Sequence, residues 1–268
     1  MKNIWKHIIN ITFAAVLVCV LTAAFFLGSS SRKGIRCKGV TITVTDSATN
    51  QFITPQEIRR FLEEEYKGYI GEPIDSIDLT QIEKILDSKS AILKSQAFTT
   101  KDSLLNIIVT QRKPVVRFQK GQGGFYADAE GHLFPLQNTY ASHVLIVDGK
   151  IPLKLEYGYT GKLENDYEKK WLKDMVTMVN HIEASRTWKD KIVQITVGED
   201  SELTLIPREG KEKFLFGQPD DLKGKFERME IYYKSVRKDK GEEHYSFVDV
   251  RFEGQLVYTI LSIGGNQT

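Results

Sequence analysis

Side chains that commonly ligate metals or attack substrates are few and scattered in this chain. The 268 residues include five histidines and two cysteines. His132, His143, His181 and His244 show neither the H-E-x-x-H pattern nor another paired spacing typical of a metal site. The G-x-S-x-G turn that exposes a nucleophilic serine in hydrolases is also missing. These patterns predict no catalytic residue, no metal site, no cofactor and a non-enzymatic function.

Two other patterns resemble ligand sites but are better explained as turns and solvated faces. The glycine-rich run at 121–124 lacks the Gly-Lys-Ser/Thr ending of a phosphate-binding loop, and no helix pattern follows it. The acidic pairs at 220–221 and 242–243 lie in polar surroundings, as expected of a helix N-terminus or an exposed surface. Carboxylates that are distant in the sequence could still converge in space.

Charge and cysteine usage exclude two further classes. A formal net charge of +2 does not by itself indicate a nucleic-acid partner. Cys19 and Cys37 are the two cysteines, and none follows Cys37. A disulfide framework or a cysteine-based metal site is therefore excluded from the chain after that residue.

The uncharged apolar run at 8–27 predicts a transmembrane anchor within residues 1–33. At about 1.5 Å per residue, a helix of this length crosses the roughly 30 Å hydrocarbon core of a bilayer. The run is longer than the roughly 7–15 apolar residues of a cleaved signal peptide, which stays an alternative. A lipid anchor on Cys19 is disfavoured because bulky Val18 stands where such signals have a small residue.

Charge counting leaves the orientation of the anchor open. Two lysines precede the apolar run and four basic residues follow it, which favours the following tail inside the cell. A long domain translocates largely regardless of such charges, and this weakens the count. The flanking residues are Lys2, Lys6, Arg32, Lys33, Arg36 and Lys38.

Residues 34–114 form a pattern of strand, helix, helix, strand and strand. A strand at 39–46 alternates apolar and polar residues, and a hairpin pattern covers 92–111. Thr54, Pro55 and Glu57 combine a capping box with a proline at the first helical position. This order predicts a small α+β domain.

Residues 115–264 predict a second α+β domain with a mostly antiparallel sheet. A tight hairpin is expected around 125–134, and amphipathic helices at about 165–184 and 219–238. Further strand patterns cover 143–147, 192–197, 203–206, 214–216, 245–252 and 256–262.

The first unit resembles the POTRA domain, and the chain as a whole resembles the FtsQ/DivIB family of bacterial cell-division proteins. The POTRA resemblance rests on the order of elements and on the segment LLNIIVTQRKPVVRF. The family resemblance rests on three motifs that follow one N-terminal anchor. These motifs are Asp128, Gly131 and Phe134; Phe216, Gly217 and Lys225; and Asp249, Val250, Arg251, Phe252 and Gly254.

The resemblance implies a bitopic scaffold of the division septum. The N-terminus would be cytoplasmic, the anchor would lie in the cell inner membrane, and the two domains would be periplasmic where an outer membrane exists. The implied partners are the tails of FtsB/DivIC-like and FtsL-like proteins, together with other septal membrane proteins, and they include no nucleic acid. The last strand would bind such a tail by β-addition. The implied contacts are Arg251, Phe252, Glu253, Gly254, Leu256, Val257, Tyr258 and Thr259.

Two other interpretations stay open at this point, and a third is disfavoured. Arg251 and Phe252 could simply close the final hairpin, because core pairs and binding anchors use the same residue types. The chain could be an envelope chaperone or transport module, although such proteins usually carry several POTRA copies and this sequence shows one. A secreted hydrolase is disfavoured because the corresponding motifs are missing.

Overall fold

The computed structural model describes residues 12–24, 34–45, 51–121, 123–137, 140–238 and 245–260. These residues divide into two compact units. The first comprises those within Met1–Thr49 and Ile53–Gln111, and the second comprises those within Asn50–Phe52 and Arg112–Thr268.

The predicted anchor is described in part. Residues 12–24 form helix α1, whereas residues 8–11 and 25–27 lie outside the described residues. Among the helices that are described, none has both the length and the apolar character needed to cross a membrane. The transmembrane helix expected at 8–27 is therefore not found in the described part of the chain.

The first unit has the predicted β-α-α-β-β order. Its strands are β1 (Gly39–Thr45), β2 (Ile92–Thr99) and β3 (Leu104–Gln111), and its helices are α2 (Pro55–Glu65) and α3 (Leu79–Asp87). A short 3₁₀ turn, Ile74–Ser76, lies between the helices. Strand β3 lies in the centre, parallel to β1 and antiparallel to β2.

The helices of this unit begin where their caps predict. The Thr54 hydroxyl accepts the Glu57 N–H at 3.2 Å, and the Glu57 carboxylate accepts the Thr54 N–H at 2.8 Å. This capping box satisfies donors that the first turn of α2 would otherwise leave unpaired. Ile58 and Leu62 of α2 are fully buried, as are Ile82 and Leu86 of α3.

The second unit is built on a ten-stranded sheet among the described residues. Its order is β13-β12-β11-β10-β9-β7-β4-β5-β6-β8. The strands are β4 (Pro114–Lys120), β5 (Gly123–Asp128), β6 (His132–Pro135), β7 (Leu145–Gly149), β8 (Gly161–Lys162), β9 (Ile192–Val197), β10 (Leu203–Pro207), β11 (Lys213–Gly217), β12 (Tyr245–Asp249) and β13 (Val257–Ile260). The helices are α4 (Asp166–Ala184) and α5 (Leu222–Ile231), and α5 continues as a π-helical segment, Tyr232–Arg237.

The prediction of a mostly antiparallel sheet was wrong, because the sheet is mixed. The pairs β4–β7, β7–β9 and β11–β12 are parallel. Parallel neighbours need a long crossover, which is commonly helical. Here α4 lies in the connection from β7 to β9 and α5 in the connection from β11 to β12. The alternation of apolar and polar residues indicates a strand, but it does not indicate whether that strand runs parallel or antiparallel to its neighbours.

The core of the second unit lies between one face of this sheet and the two helices. Phe118, Val147, Ile195, Leu205 and Phe214 occupy inward positions on neighbouring strands and are fully buried. The helices contribute apolar residues to the same core: Trp171, Leu172, Met175, Val176, Met178, Val179, Ile182, Phe226 and Met229.

Two predicted elements near the C-terminus are shorter than expected. The helix predicted from 219 begins at Leu222, because Asp221 adopts a left-handed conformation (φ 41°) and caps the helix by accepting the Gly224 N–H. The strand predicted to reach residue 252 ends at Asp249.

Candidate functional site

The predicted partner-binding strand lies at an edge of the sheet. β13 pairs antiparallel with β12, with Val248 opposite Tyr258 and Asp249 opposite Val257. No other described strand pairs with β13. An edge strand that lacks a second neighbour presents backbone donors and acceptors that another chain can pair with.

Apolar side chains are exposed along this edge. Phe252 is 51% exposed, Val257 50%, Tyr258 45% and Ile260 59%. Leu256, by contrast, is half-buried against the core. Exposed apolar side chains on an edge strand are a feature of surfaces that bind another chain. We call Phe252 and the residues of β13 the closing edge.

A tight turn precedes β13 and depends on glycine. The Gln255 N–H donates to the Phe252 carbonyl at 3.4 Å, and Gly254 has φ 68°. That backbone conformation is costly for residues with a Cβ atom. Glu253 and Gly254 are exposed at the tip of this turn.

Arg251 is engaged inside the molecule. Its guanidinium donates to both carboxylate oxygens of Asp249, with distances of 3.0 Å from Nε to Oδ1 and 2.6 Å from Nη2 to Oδ2. Its Nη1 donates to Glu202 at 2.9 Å. Burial acts to raise the pKa of Asp249, but the hydrogen bonds from Arg251 outweigh it, so that this pKa lies below its usual value. Arg251 therefore fixes the geometry of the chain just before the turn.

The second motif lies directly beneath Arg251. Gly217 has φ 72°, and a Cβ atom at this position would lie 3.0 Å from Cγ and Cδ of Arg251. The neighbouring Phe216 is fully buried, with the Lys225 ammonium 5.1 Å from its ring centroid. Lys225 donates to the Gln218 carbonyl at 2.7 Å and pairs with Asp220.

Arg228 connects helix α5 to the end of β12. Its Nε donates to the Val250 carbonyl at 2.9 Å, and its Nη2 donates to Asp221 at 3.1 Å. The β11–α5 segment and the 249–251 segment therefore form one hydrogen-bonded network that supports the closing edge. Arg228, Glu202 and Ile260 were not among the residues predicted from the sequence. The spacing of Arg228 three residues after Lys225 on α5 was an available signal, whereas nothing in the sequence links Glu202 to Arg251.

Comparison with protein families decides the relationship of this chain to known proteins. A family model described as FtsQ/DivIB, C-terminal related, matches residues 113–259. A model of the POTRA-like domain matches residues 35–110. The chain belongs to the FtsQ/DivIB family. A search of curated proteins finds no match.

Membership of the FtsQ/DivIB family confirms the resemblance and indicates a scaffold role in bacterial cell division. The family is a non-enzymatic one associated with the membrane at the division site. The POTRA-like match covers the three-stranded unit. The match to the second unit extends to residue 259 and so includes all eight predicted contact residues.

The first motif of this FtsQ/DivIB-family chain, Asp128, Gly131 and Phe134, lies at the other end of the sheet. Asp128 accepts the N–H groups of Glu130 and His132 at 3.0 and 2.9 Å, and Arg112 donates to it at 3.0 Å. Phe134 is fully buried on β6. This motif shapes the β5–β6 turn, and β12 and β13 are at the opposite end of the strand order. The structure therefore brings two of the three motifs together.

The histidines do not form a metal site within the described residues. No group of three or more His, Cys, Asp or Glu side chains there is arranged to hold a metal ion. His181 stacks on Phe226 with ring centroids 5.0 Å apart. Burial, and then the nearby Arg112, lower the pKa of His132. His244 lies outside the described residues.

Proposed function

We propose that this chain is a non-enzymatic, membrane-anchored scaffold that recruits septal proteins during bacterial cell division. In this proposal residues 1–33 form the cytoplasmic tip and anchor, 34–114 the POTRA domain and 115–264 the β domain. The anchor spans the inner membrane, the N-terminus is cytoplasmic, and both domains are periplasmic where an outer membrane exists. The tails of FtsB/DivIC-like and FtsL-like proteins are the partners.

The closing edge is the observation that carries the proposal. β13 combines an edge position with exposed apolar side chains at all but one of its residues, Thr259. A partner tail in extended conformation would add a strand next to β13, and its backbone would supply hydrogen bonds while Phe252 and Ile260 supply apolar contacts.

The POTRA-like sheet presents a different kind of edge. The N–H groups of Ser95 and Ala97 on β2 donate to the carboxylates of Asp87 and Glu83, each at 2.7 Å. Side chains of α3 thus accept the hydrogen bonds that these N–H groups would otherwise donate to an added strand. Such contacts commonly protect an edge strand from pairing with another chain. This favours β13 over β2 as the docking strand. It also weighs against β2 as the strand that would handle extended segments in the chaperone or transport alternative.

Arg251 takes a supporting role in this proposal. Because Asp249 and Glu202 already occupy its guanidinium, its predicted pairing with partner carboxylates would have to compete with these contacts. Its guanidinium carbon lies 5.5 Å from the Phe252 ring centroid, so it also helps to orient that ring. Phe252, Glu253, Gly254, Leu256, Val257, Tyr258 and Thr259 stay the proposed contacts, and Ile260 is added to them.

Binding of synthetic partner tails to the full-length chain tests the proposal. Phe252→Ala is expected to weaken binding by about 2 kcal/mol or more if this ring is a hot spot. Phe98→Ala is the matched control, because Phe98 is an exposed aromatic residue on the edge strand β2. If wild type and Phe252→Ala bind the tails with equal dissociation constants, Phe252 does not contribute to tail binding.

Proline substitutions at Tyr258 and Thr259 test the backbone contribution. Neighbouring N–H groups in a strand point to opposite sides, so that one substitution affects the outer edge and the other the pairing with β12. We expect at least one variant to keep the tryptophan fluorescence of the folded chain and to lose tail binding. If both variants fold and bind the tails like wild type, addition to β13 is wrong.

A further inference from the structure

Three segments meet at the end of the first unit that follows the proposed membrane anchor. One leads into β1, one lies in the loop after α2, and one is the β2–β3 turn; they are residues 34–38, 67–75 and 100–103. Backbone hydrogen bonds join them. The Cys37 N–H donates to the Glu72 carbonyl at 2.9 Å, and the Lys38 N–H donates to the Ser103 carbonyl at 2.8 Å. We call these three segments the tether end.

A short stretch of chain connects the tether end to the proposed anchor. Leu27 ends the apolar run, and Ile35 follows eight residues later. An extended chain spans at most about 3.6 Å per residue, so Ile35 lies within about 29 Å of the hydrocarbon core when the anchor spans the membrane. The lipid headgroups fill about 5–7 Å of this distance. Because a short link keeps the effective concentration in the millimolar range, a weak attraction is enough to hold the tether end on the lipid surface.

Two isoleucines of the tether end have exposed side chains. Ile35 is 38% exposed and Ile70 is 54% exposed. The backbone on both sides of Ile70 is fixed, because Tyr69 is buried and the Gly71 carbonyl accepts a hydrogen bond from Arg36 Nη1 at 2.7 Å. Single exposed apolar residues are common on protein surfaces. These two differ in their position, since they lie on the end that the anchor would hold close to lipid.

The charges of the tether end nearly cancel, so apolar contact decides how it meets lipid. Its exposed cations and acids are Arg36, Lys38, Lys67 and Lys101, and Glu72, Asp75 and Asp102. A net attraction to anionic lipid would therefore be small. Long cationic side chains can still lie along an apolar surface with their charged ends at the headgroup phosphates. The tether end is thus compatible with neutral phospholipid.

We propose that the tether end rests on the lipid surface next to the anchor, with Ile35 and Ile70 inserted among the headgroups. This inference rests on the proposed anchor and adds a second membrane contact to it. It does not depend on β13. The contact would restrict the directions in which the first unit can point from the membrane.

Quenching of a thiol-bound fluorophore by nitroxide-labelled lipid tests this proposal. The full-length chain is placed in nanodiscs of neutral phosphatidylcholine that carry the nitroxide on the headgroup. The fluorophore is attached at Ile70→Cys in a Cys19→Ser background, in which Cys37 is buried and protected from labelling. Leu93→Cys is the matched control, because Leu93 is 48% exposed and lies near the start of β2, about 23 Å along the strand from the tether end.

We expect the headgroup nitroxide to quench the label at position 70 and to leave the label at position 93 as bright as in nitroxide-free discs. The quenching should persist in 1 M salt, at which the Debye length is about 3 Å, because the contact is apolar. With the label moved to Lys101→Cys, Ile70→Ser should reduce the quenching and Leu93→Ser should not. Thermal unfolding of each variant verifies that it is folded.

A label on Cys19, combined with nitroxide on the lipid acyl chains, tests the anchor separately. Absence of quenching at Cys19 would contradict the anchor and with it the lipid contact. Quenching at Cys19 together with equal brightness of the labels at positions 70 and 93 would overturn the lipid contact and leave the anchor in place. Loss of the quenching at position 70 in 1 M salt would also overturn the proposal, because the contact would then be electrostatic.

Discussion

The Arg251 guanidinium donates through Nε and Nη2 to both carboxylate oxygens of Asp249 and through Nη1 to Glu202. The contact from Nη2 to Oδ2 is 2.6 Å and the contact from Nη1 to Glu202 is 2.9 Å. This arrangement lies between the end of β12 and the turn that leads into the edge strand β13. The proposed binding site therefore depends on residues that a partner need not contact.

The pair of Asp249 and Arg251 predicts a pH-dependent stability. The pKa of Asp249 in the folded chain is lower than normal. The contribution of Asp249 to the free energy of unfolding is therefore fully present above the pKa of the unfolded chain, about 3.9. It is lost as the pH falls through the lower pKa of the folded chain. Asp249→Asn is expected to reduce the free energy of unfolding by about 2 kcal/mol at pH 7. In urea titrations followed by tryptophan fluorescence, this difference should shrink between pH 5 and 3. A difference that stays the same at every pH would contradict the assignment.

Gly217 is expected to tolerate no side chain. Gly217→Ala places a Cβ atom 3.0 Å from Arg251 and also strains a left-handed backbone conformation. Gly254→Ala is the control, because its φ is similar and no atom lies within 4 Å of the added Cβ. We expect a loss of about 1 kcal/mol for Gly254→Ala from backbone strain. Gly217→Ala should lose more than that and weaken tail binding. Equal losses would show that the contact with Arg251 is unimportant.

A buried ion pair holds the π-helical segment after α5. Arg237 Nη1 lies 3.4 Å from Glu212 Oε1, and both side chains are largely inaccessible. Because removing one partner leaves a buried charge, Glu212→Gln should lower the free energy of unfolding by about 3 kcal/mol. Lys234→Gln breaks the exposed pair with Glu230 and should cost no more than about 0.5 kcal/mol. Urea titration distinguishes the two, and a small loss in both would contradict a structural role for Glu212.

We expect the chain to self-associate through β2 when the carboxylates of Glu83 and Asp87, which accept hydrogen bonds from this edge strand, are removed. In Glu83→Ala/Asp87→Ala the N–H groups of Ser95 and Ala97 lose their side-chain acceptors. Free donors on an edge strand promote pairing with a second chain. Sedimentation of this variant should reveal concentration-dependent dimers. The charge-matched control Glu64→Ala/Glu65→Ala, on α2, should sediment like wild type. If Glu83→Ala/Asp87→Ala also sediments like wild type, these two carboxylates do not protect β2.

Local features of the fold could be predicted from the sequence. Thr54 and Glu57 predicted the start of α2, and the alternation of apolar and polar residues predicted β1 and β3. These patterns could be recognised because their residues lie close together in the sequence. The directions of β7 and β12 depend on crossovers many residues long and leave no local trace. For the same reason the mixed character of the sheet was not predicted.

The position of the last strand was predictable from the sequence, but the contacts that support it were not. The position of the last strand followed from its residues and from the family resemblance. The contact between Arg251 and Glu202 joins residues far apart in the chain, and the support from Arg228 depends on how α5 packs on β12.

Hydrogen exchange of the full-length chain, with and without synthetic tails of the FtsB/DivIC-like and FtsL-like partners, tests the central claim most directly. We predict that the tails slow exchange at the amides of Val257–Ile260 by about tenfold or more and leave Ser95 and Ala97 of β2 unchanged. If the tails bind with protection elsewhere and no change at Val257–Ile260, addition of a strand to β13 is wrong.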